Sequence, residues 1–163
     1  MSEYRIISAD NHVFEPPDLW LTRMQGEWGE RTPRIGRDEE GDWWFVDGKK
    51  VPGTGFGFGG AQAGRRFDDP SNLTAEDLFD NVRAGGYVPE EQVKDMATDG
   101  VDVSILYPTV GLQLFKQPDG EILSAIFHSY NDWLAEFCSA APDKLKGIAM
   151  LNVDDVGVAI KEL

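Results

Sequence analysis

The pattern of hydrophobic and polar positions along the chain separates short apolar runs from longer amphipathic segments. Three short runs, over residues 4–9, 101–107 and 145–151, are built around Ile, Val and Leu. Short apolar runs bounded by polar residues or proline are typical of strands buried on both faces, as in a parallel sheet. The pattern therefore predicts three parallel strands.

Helical periodicity is strongest towards the carboxyl end of the chain. One apolar stripe recurs at helical spacing and predicts a long amphipathic helix that ends before Pro142. Helices are also predicted over residues 75–83, over residues 89–98 and from residue 154 onward. The members of the long stripe are Ile122, Ile126, Tyr130, Trp133 and Phe137.

Residues 32–88 break the alternation of strands and helices and are predicted to be an insertion. Within it, Asp47-Gly48 follows an apolar run and predicts a β-hairpin. Residues 53–72 are rich in Gly, Arg, Asp and Ser, which predicts a long loop. The stretch 55–60 matches the G-x-G-x-x-G of dinucleotide-binding sites, but that fingerprint needs a strand before it and a helix after it. The pattern predicts neither, so nucleotide binding is not expected.

Strands that alternate with helices imply right-handed crossovers and a parallel sheet in the α/β class. An eight-stranded barrel needs about 250 residues, whereas this chain supplies about three βα units. We therefore expect residues 1–163 to be one domain, the N-terminal part of a (β/α)8 TIM barrel, incomplete at its C-terminus. The open edge of the third strand would favour self-association, so a homo-oligomer is a possible partner state.

Composition and charge narrow the classes of partner. The chain has 29 acidic and 15 basic residues among 163, a net charge of -14, which argues against nucleic acid and anionic membranes as partners. The single cysteine, Cys138, excludes an intramolecular disulfide. No signal peptide and no apolar segment long enough to cross a bilayer is recognisable, so a cytoplasmic location is expected.

Candidate chemistry lies at the end of the first predicted strand. Asp10 and His12 are two residues apart, and residues i and i+2 of a strand project to the same side. An imidazole and a carboxylate together suit Zn²⁺ or Mn²⁺. Glu15 is a candidate further ligand, a partner of His12 or a substrate contact. The spacing by itself equally fits a turn with a hydrogen-bonded histidine.

Four blocks of sequence resemble the amidohydrolase-related family, in the branch of aminocarboxymuconate-semialdehyde decarboxylase and γ-resorcylate decarboxylase. The resemblance implies a (β/α)8 barrel that holds one divalent metal, usually zinc and sometimes manganese. It also implies that Asp10 and His12 are two of the metal ligands, with the remaining ligands and the catalytic acid/base beyond residue 163. The blocks are residues 7–20, 95–96 with 99–109, 130–138 and 142–151.

The resemblance implies a metal-dependent hydrolase or a non-oxidative decarboxylase that acts on a small carboxylated or cyclic organic molecule. Arg65 and Arg66 are candidates for binding a substrate carboxylate, although a solvated pair is the simpler reading. Tyr107 ends the second strand and is expected to face the pocket. The only other histidine, His128, falls off the apolar stripe of its helix, so we expect it at the surface and not beside His12.

The alternative class of function is non-catalytic. The same features fit a truncated domain without activity or an acidic interaction module, because the chain alone cannot complete a metal site of the family type.

Overall fold

The computed structural model describes residues 5–66 and 68–163. The chain divides into two compact units. The sheet unit consists of Met1–Glu15 and Ala84–Leu163, and the hairpin unit consists of Pro16–Arg83. The candidate metal ligands belong to the sheet unit.

The sheet unit contains a three-stranded parallel sheet with the order β1-β5-β6. The strands are β1 (Ile7–His12), β5 (Val103–Tyr107) and β6 (Leu145–Gly147). Both neighbouring pairs are parallel, with Ile7 opposite Val103 and Ser104 opposite Leu145. The predicted parallel sheet is therefore confirmed.

Four helices belong to the sheet unit, and local sequence sets where three of them begin or end. They are α2 (Pro89–Asp99), α3 (Gly111–Leu114), α4 (Gly120–Ser139) and α5 (Val156–Glu162). The Asp119 carboxylate accepts the backbone N–H groups of Glu121 and Ile122 at the start of α4, and Asp155 caps α5 in the same way. Gly100 ends α2 in the left-handed conformation that favours glycine, with φ of 71°.

Helix α4 provides half of the buried apolar residues that the structure describes in the sheet unit. All five residues of the predicted stripe are buried along its 20 residues. Each large apolar side chain that leaves water contributes about 1.5–3 kcal/mol. Within residues 5–66 and 68–163, no helix combines the length and the hydrophobicity needed to span a membrane.

The hairpin unit contains α1 (Leu19–Trp28) and a three-stranded antiparallel sheet of β2 (Arg34–Arg37), β3 (Asp42–Val46) and β4 (Lys49–Lys50). The predicted turn at Asp47-Gly48 joins β3 to β4. Both residues have positive φ, 54° and 73°, which suits the twist of a two-residue hairpin. Trp44 packs edge-on against Trp20, with 4.9 Å between the ring centroids.

The predicted helix over residues 75–83 is wrong, because the hairpin takes the backbone groups that such a helix would use. The Asp42 N–H donates to the Asp77 carbonyl at 3.0 Å, and the Asp42 carboxylate accepts the Phe79 N–H at 2.9 Å. Only a short 3-10 turn, Phe79–Asn81, forms in this segment.

The glycine-rich stretch of residues 53–72 is more ordered than the predicted loop. It contains a π-helical turn, Gly57–Ala61, and a 3-10 turn, Pro70–Asn72. The Gly57 N–H donates to the Ala75 carbonyl at 3.0 Å, and a Cβ at position 57 would collide with the Thr74 carbonyl. Glycine is therefore needed here for close backbone packing.

The third strand is shorter than the predicted residues 145–151. One further bond, from the Ile148 N–H to the Leu106 carbonyl, follows β6 at 2.9 Å. The Asn131 side chain on α4 then accepts the Met150 N–H at 2.8 Å and donates to the Met150 carbonyl at 2.9 Å. Met150 therefore pairs with a helix side chain instead of continuing the β5–β6 ladder.

Replacing Gly100 with Ala tests how α2 ends. The position is open, with no atom within 4 Å of an added Cβ, so only the positive φ opposes a side chain. We expect Gly100→Ala to lower the free energy of unfolding by about 1 kcal/mol, measured by urea denaturation.

Gly26→Ala is the matched control. Gly26 lies inside α1, is equally open and has no positive φ, so the same substitution should raise stability by about 0.5–1 kcal/mol. Equal effects of the two changes would contradict this account of Gly100.

Candidate metal centre

The end of β1 brings Asp10 and His12 to one side of the strand. The Asp10 Oδ1 and His12 Nε2 atoms lie 3.7 Å apart, and the side chains are 87% and 38% exposed. Asn11, between them, donates instead from Nδ2 to the Ser104 hydroxyl at 3.1 Å on the neighbouring strand. Because side chains alternate along the strand, Asp10 and His12 share one side as a candidate ligand pair, and Asn11 makes a polar contact with the neighbouring strand.

A bulge in β1 lies within this motif. Ser8 pairs with Ser104 and Asn11 with Leu106, so three steps along β1 oppose two steps along β5. The extra residue falls at positions 9–10. Bulges re-aim side chains near functional sites, and this one lies immediately before His12, which pairs with Tyr107 at the carboxyl end of the sheet.

The loop after β5 sets the orientation of the His12 ring. Nδ1 of His12 lies 2.9 Å from the Pro108 carbonyl oxygen. A carbonyl can only accept a hydrogen bond, so Nδ1 carries the proton of the neutral ring. The Nε2 lone pair is thereby left available on the side of Asp10, which is the arrangement that metal-ligating histidines use.

Thr109 and Tyr107 complete the surroundings of the ring. The Thr109 hydroxyl donates to the Val13 carbonyl at 2.7 Å, and its oxygen lies 3.4 Å from His12 Nδ1. The Tyr107 ring centroid is 6.0 Å from that of His12, with the planes tilted by 35°. Tyr107, singled out in the sequence as pocket-facing, is thus next to His12.

Glu15 is a buried carboxylate that binds backbone instead of solvent. It is 1% exposed. Its Oε1 accepts the N–H groups of Thr109 at 3.1 Å and Gly111 at 2.9 Å, and its Oε2 accepts that of Val110 at 3.1 Å. Burial raises the pKa of the Glu15 carboxyl to about 7, and the three N–H donors oppose that rise.

The other candidate residues lie elsewhere in the chain. Arg65 and Arg66 are exposed residues of the hairpin unit, separated by three residues from the end of its π-helical turn. His128 is exposed on α4, with Nδ1 2.9 Å from Glu162 and Nε2 3.7 Å from Asp132. The surface position expected for His128 is confirmed.

Asp10 and His12 fit a divalent cation as two ligands of a larger set. Their donor atoms, a carboxylate oxygen and an imidazole nitrogen, are those that zinc and manganese accept. The ring proton on Nδ1 leaves Nε2 free to coordinate. Among the residues that the structure describes, no three His, Cys, Asp or Glu side chains are grouped so as to hold a metal ion.

No protein-family model and no curated protein matches this chain. Among solved structures, an amidohydrolase from Mycobacterium avium subsp. paratuberculosis K-10 is similar over 99% of this chain, with a TM-score of 0.74 and 20% sequence identity. The chain therefore has the fold of part of a (β/α)8 TIM barrel. It covers 46% of that protein, so it spans less than half of the neighbour's length. The family resemblance in the sequence is confirmed at the level of the fold.

A second neighbour is 2,6-dihydroxybenzoate decarboxylase from Rhizobium, which is 16% identical and similar over 98% of this chain and 34% of its own, with a TM-score of 0.47. A 2,6-dihydroxybenzoate decarboxylase complexed with 2,6-dihydroxybenzoate gives the same TM-score at 18% identity. Scores at this level add nothing to the fold assignment.

The raised pKa of Glu15 predicts a pH dependence of stability. The folded state holds this proton up to about pH 7, whereas an unfolded glutamate releases it near its ordinary pKa of 4.5. Between these two values the folded state binds more protons, so the stability contribution of Glu15 is present below pH 4.5 and is lost as pH rises through 7. The loss amounts to about 3 kcal/mol.

The measurement is urea unfolding of the wild type and of Glu15→Gln at pH 4.5 and pH 8. The difference in unfolding free energy between them should change by about 3 kcal/mol in the stated direction. Glu90→Gln, the same substitution at an exposed site in the sheet unit, should track the wild type. A pH-independent difference between wild type and Glu15→Gln would show that the carboxyl titrates normally.

Proposed function

We propose that this chain carries the first two ligands of a metal-dependent amidohydrolase-type site, Asp10 and His12, at the carboxyl end of its parallel sheet. The observation that carries the proposal is the contact between His12 Nδ1 and the Pro108 carbonyl at 2.9 Å. It commits one ring nitrogen to the protein and leaves the other 3.7 Å from the Asp10 carboxylate.

The position of the pair in the fold supports the same proposal. In barrel enzymes the active site lies at the carboxyl ends of the parallel strands. Asp10 and His12 lie at that end of β1, beside Tyr107 at the same end of β5. The likeness to an amidohydrolase supports the barrel-type fold on which this argument rests.

Each residue has a separate task in the proposed site. Asp10 supplies a negative oxygen that solvent can reach, His12 supplies a neutral nitrogen, and the Pro108 carbonyl holds the ring. A divalent metal bound there, with zinc as the first choice and manganese as the second, would supply Lewis acidity and lower the pKa of bound water. The complete ligand set requires residues beyond this pair.

The proposed reaction is hydrolysis, or decarboxylation without an oxidant, of a small carboxylated or cyclic organic substrate. In either reaction the pair would hold the cation in place. An acid or base on another element would move the proton. Arg65 and Arg66 are proposed to bind a substrate carboxylate, because an arginine fork matches two carboxylate oxygens.

A zinc titration followed at the imidazole nitrogens tests the ligand assignment. The chain has only two histidines, His12 and His128, so a long-range ¹H–¹⁵N spectrum of histidine-labelled protein contains two rings. We expect Zn²⁺ to shift the Nε2 resonance of His12 first. His12→Ala should abolish this specific binding and Asp10→Asn should weaken it at least tenfold.

His128→Ala is the matched control, because His128 also lies 3.7 Å from a carboxylate, that of Asp132. This variant should bind zinc at His12 as the wild type does. A response of His128 at lower zinc concentration than His12, or no response of either ring, would favour the non-catalytic alternative.

A further inference from the structure

We propose that Glu15 is a positioning residue that fixes the tautomer of His12 through the loop of residues 108–111. The inference rests on the proposed function in one respect, namely that His12 Nε2 is the metal-binding atom. Glu15 itself touches neither His12 nor a metal in this account. Glu15 binds the backbone of the loop, and a carbonyl of the same loop binds the His12 ring.

The first step in this series of contacts joins the Glu15 carboxylate to the loop. Three successive backbone N–H groups, those of Thr109, Val110 and Gly111, converge on the two Glu15 oxygens. A buried N–H group that loses its acceptor destabilises the folded state. A single side chain therefore accepts all three N–H groups of this turn. The position of the turn thus depends on the position of the Glu15 carboxylate.

The second step joins the loop to the His12 imidazole. The Pro108 carbonyl lies 2.9 Å from His12 Nδ1, directly before the three residues that Glu15 binds. The Thr109 oxygen is 3.4 Å from the same nitrogen. A shift of the loop by half an ångström would take the carbonyl out of good hydrogen-bonding range, and the ring would lose the contact that keeps its proton on Nδ1.

Close packing at Gly111 also restricts where the loop can lie. A Cβ on Gly111 would lie 2.6 Å from the Met150 sulfur and 2.7 Å from the Pro108 Cβ. The turn has no room for a side chain at this position, where it packs against Met150 and binds Glu15. Loss of either contact would let it move.

Glu15→Gln changes one atom group and keeps the size of the side chain. The amide can accept through a single oxygen, and its NH₂ group would face a backbone N–H that also donates. We expect the loop to shift away from that clash, because two donors facing each other repel. The consequence at His12 is a mixture of the two neutral tautomers in place of one.

The test is a long-range ¹H–¹⁵N spectrum of histidine-labelled, metal-free protein at pH 8. In the wild type, Nδ1 of His12 should have the shift of a protonated nitrogen and Nε2 that of an unprotonated one. In Glu15→Gln we expect at least a tenth of the population to carry the proton on Nε2. Zinc affinity should fall in proportion to the fraction of molecules whose Nε2 has become protonated.

Controls separate this role from a general loss of structure. The His128 ring reports from α4 in the same spectrum and should not change. Glu90→Gln, at an exposed position in the same unit, should leave both rings as in the wild type. If Glu15→Gln fails to fold, Glu15→Asp provides the same readout, because its carboxylate is withdrawn by one methylene and should also admit the second tautomer.

Two results would overturn the inference. One is a folded Glu15 variant in which the His12 tautomer is unchanged, which would make Glu15 a stabilising residue only. The other is a wild type that already has its proton on Nε2. Neither result depends on metal binding. Zinc binding at His12 with an unchanged tautomer would thus refute the role of Glu15 and leave the proposed function intact. A His12 tautomer that changes in Glu15→Gln, in a protein that does not bind zinc at His12, would support the role of Glu15 and refute the proposed function.

Discussion

The parallel pairing of β1 with β5 is the interaction on which the rest of the candidate site depends. It places His12 opposite Tyr107, although the two are far apart in the sequence. The Val13 N–H extends the ladder to the Tyr107 carbonyl at 2.9 Å. The contacts to His12 Nδ1 then come from Pro108 and Thr109, which directly follow β5. Without this pairing, Asp10 and His12 would be two polar residues on an exposed segment.

A polar side chain ends the strand pairing of β6, at the opposite edge of the sheet from β1. Asn131 satisfies both backbone groups of Met150, and its Nδ2 also lies 2.8 Å from Glu162 at the end of α5. One amide on α4 therefore connects the segment after β6 to the last helix. Beyond that point several large apolar side chains are exposed. They are Val153, Val156, Val158 and Ile160.

The candidate centre combines an exposed carboxylate with a buried one, and their environments give them different tasks. Asp10 faces solvent and can meet a cation without losing a protein partner. Glu15 is enclosed and is saturated by backbone donors. Two acidic residues five positions apart thus differ in chemistry because one lies on the open side of a strand and the other under a loop.

The sequence by itself determined the parallel strands, the long helix α4, the Asp47-Gly48 turn and the pairing of Asp10 with His12 on one side of β1. These features depend on local periodicity, which neighbours along the chain encode. The bulge in β1, the missing helix at residues 75–83, the early end of β6 and the contacts of Glu15 were decided only by the tertiary structure. Each depends on a hydrogen bond between segments that are distant in sequence, such as Phe79 to Asp42 or Val110 to Glu15. A buried donor or acceptor forms its hydrogen bond with whichever partner the tertiary fold places beside it. The local sequence pattern does not specify that partner.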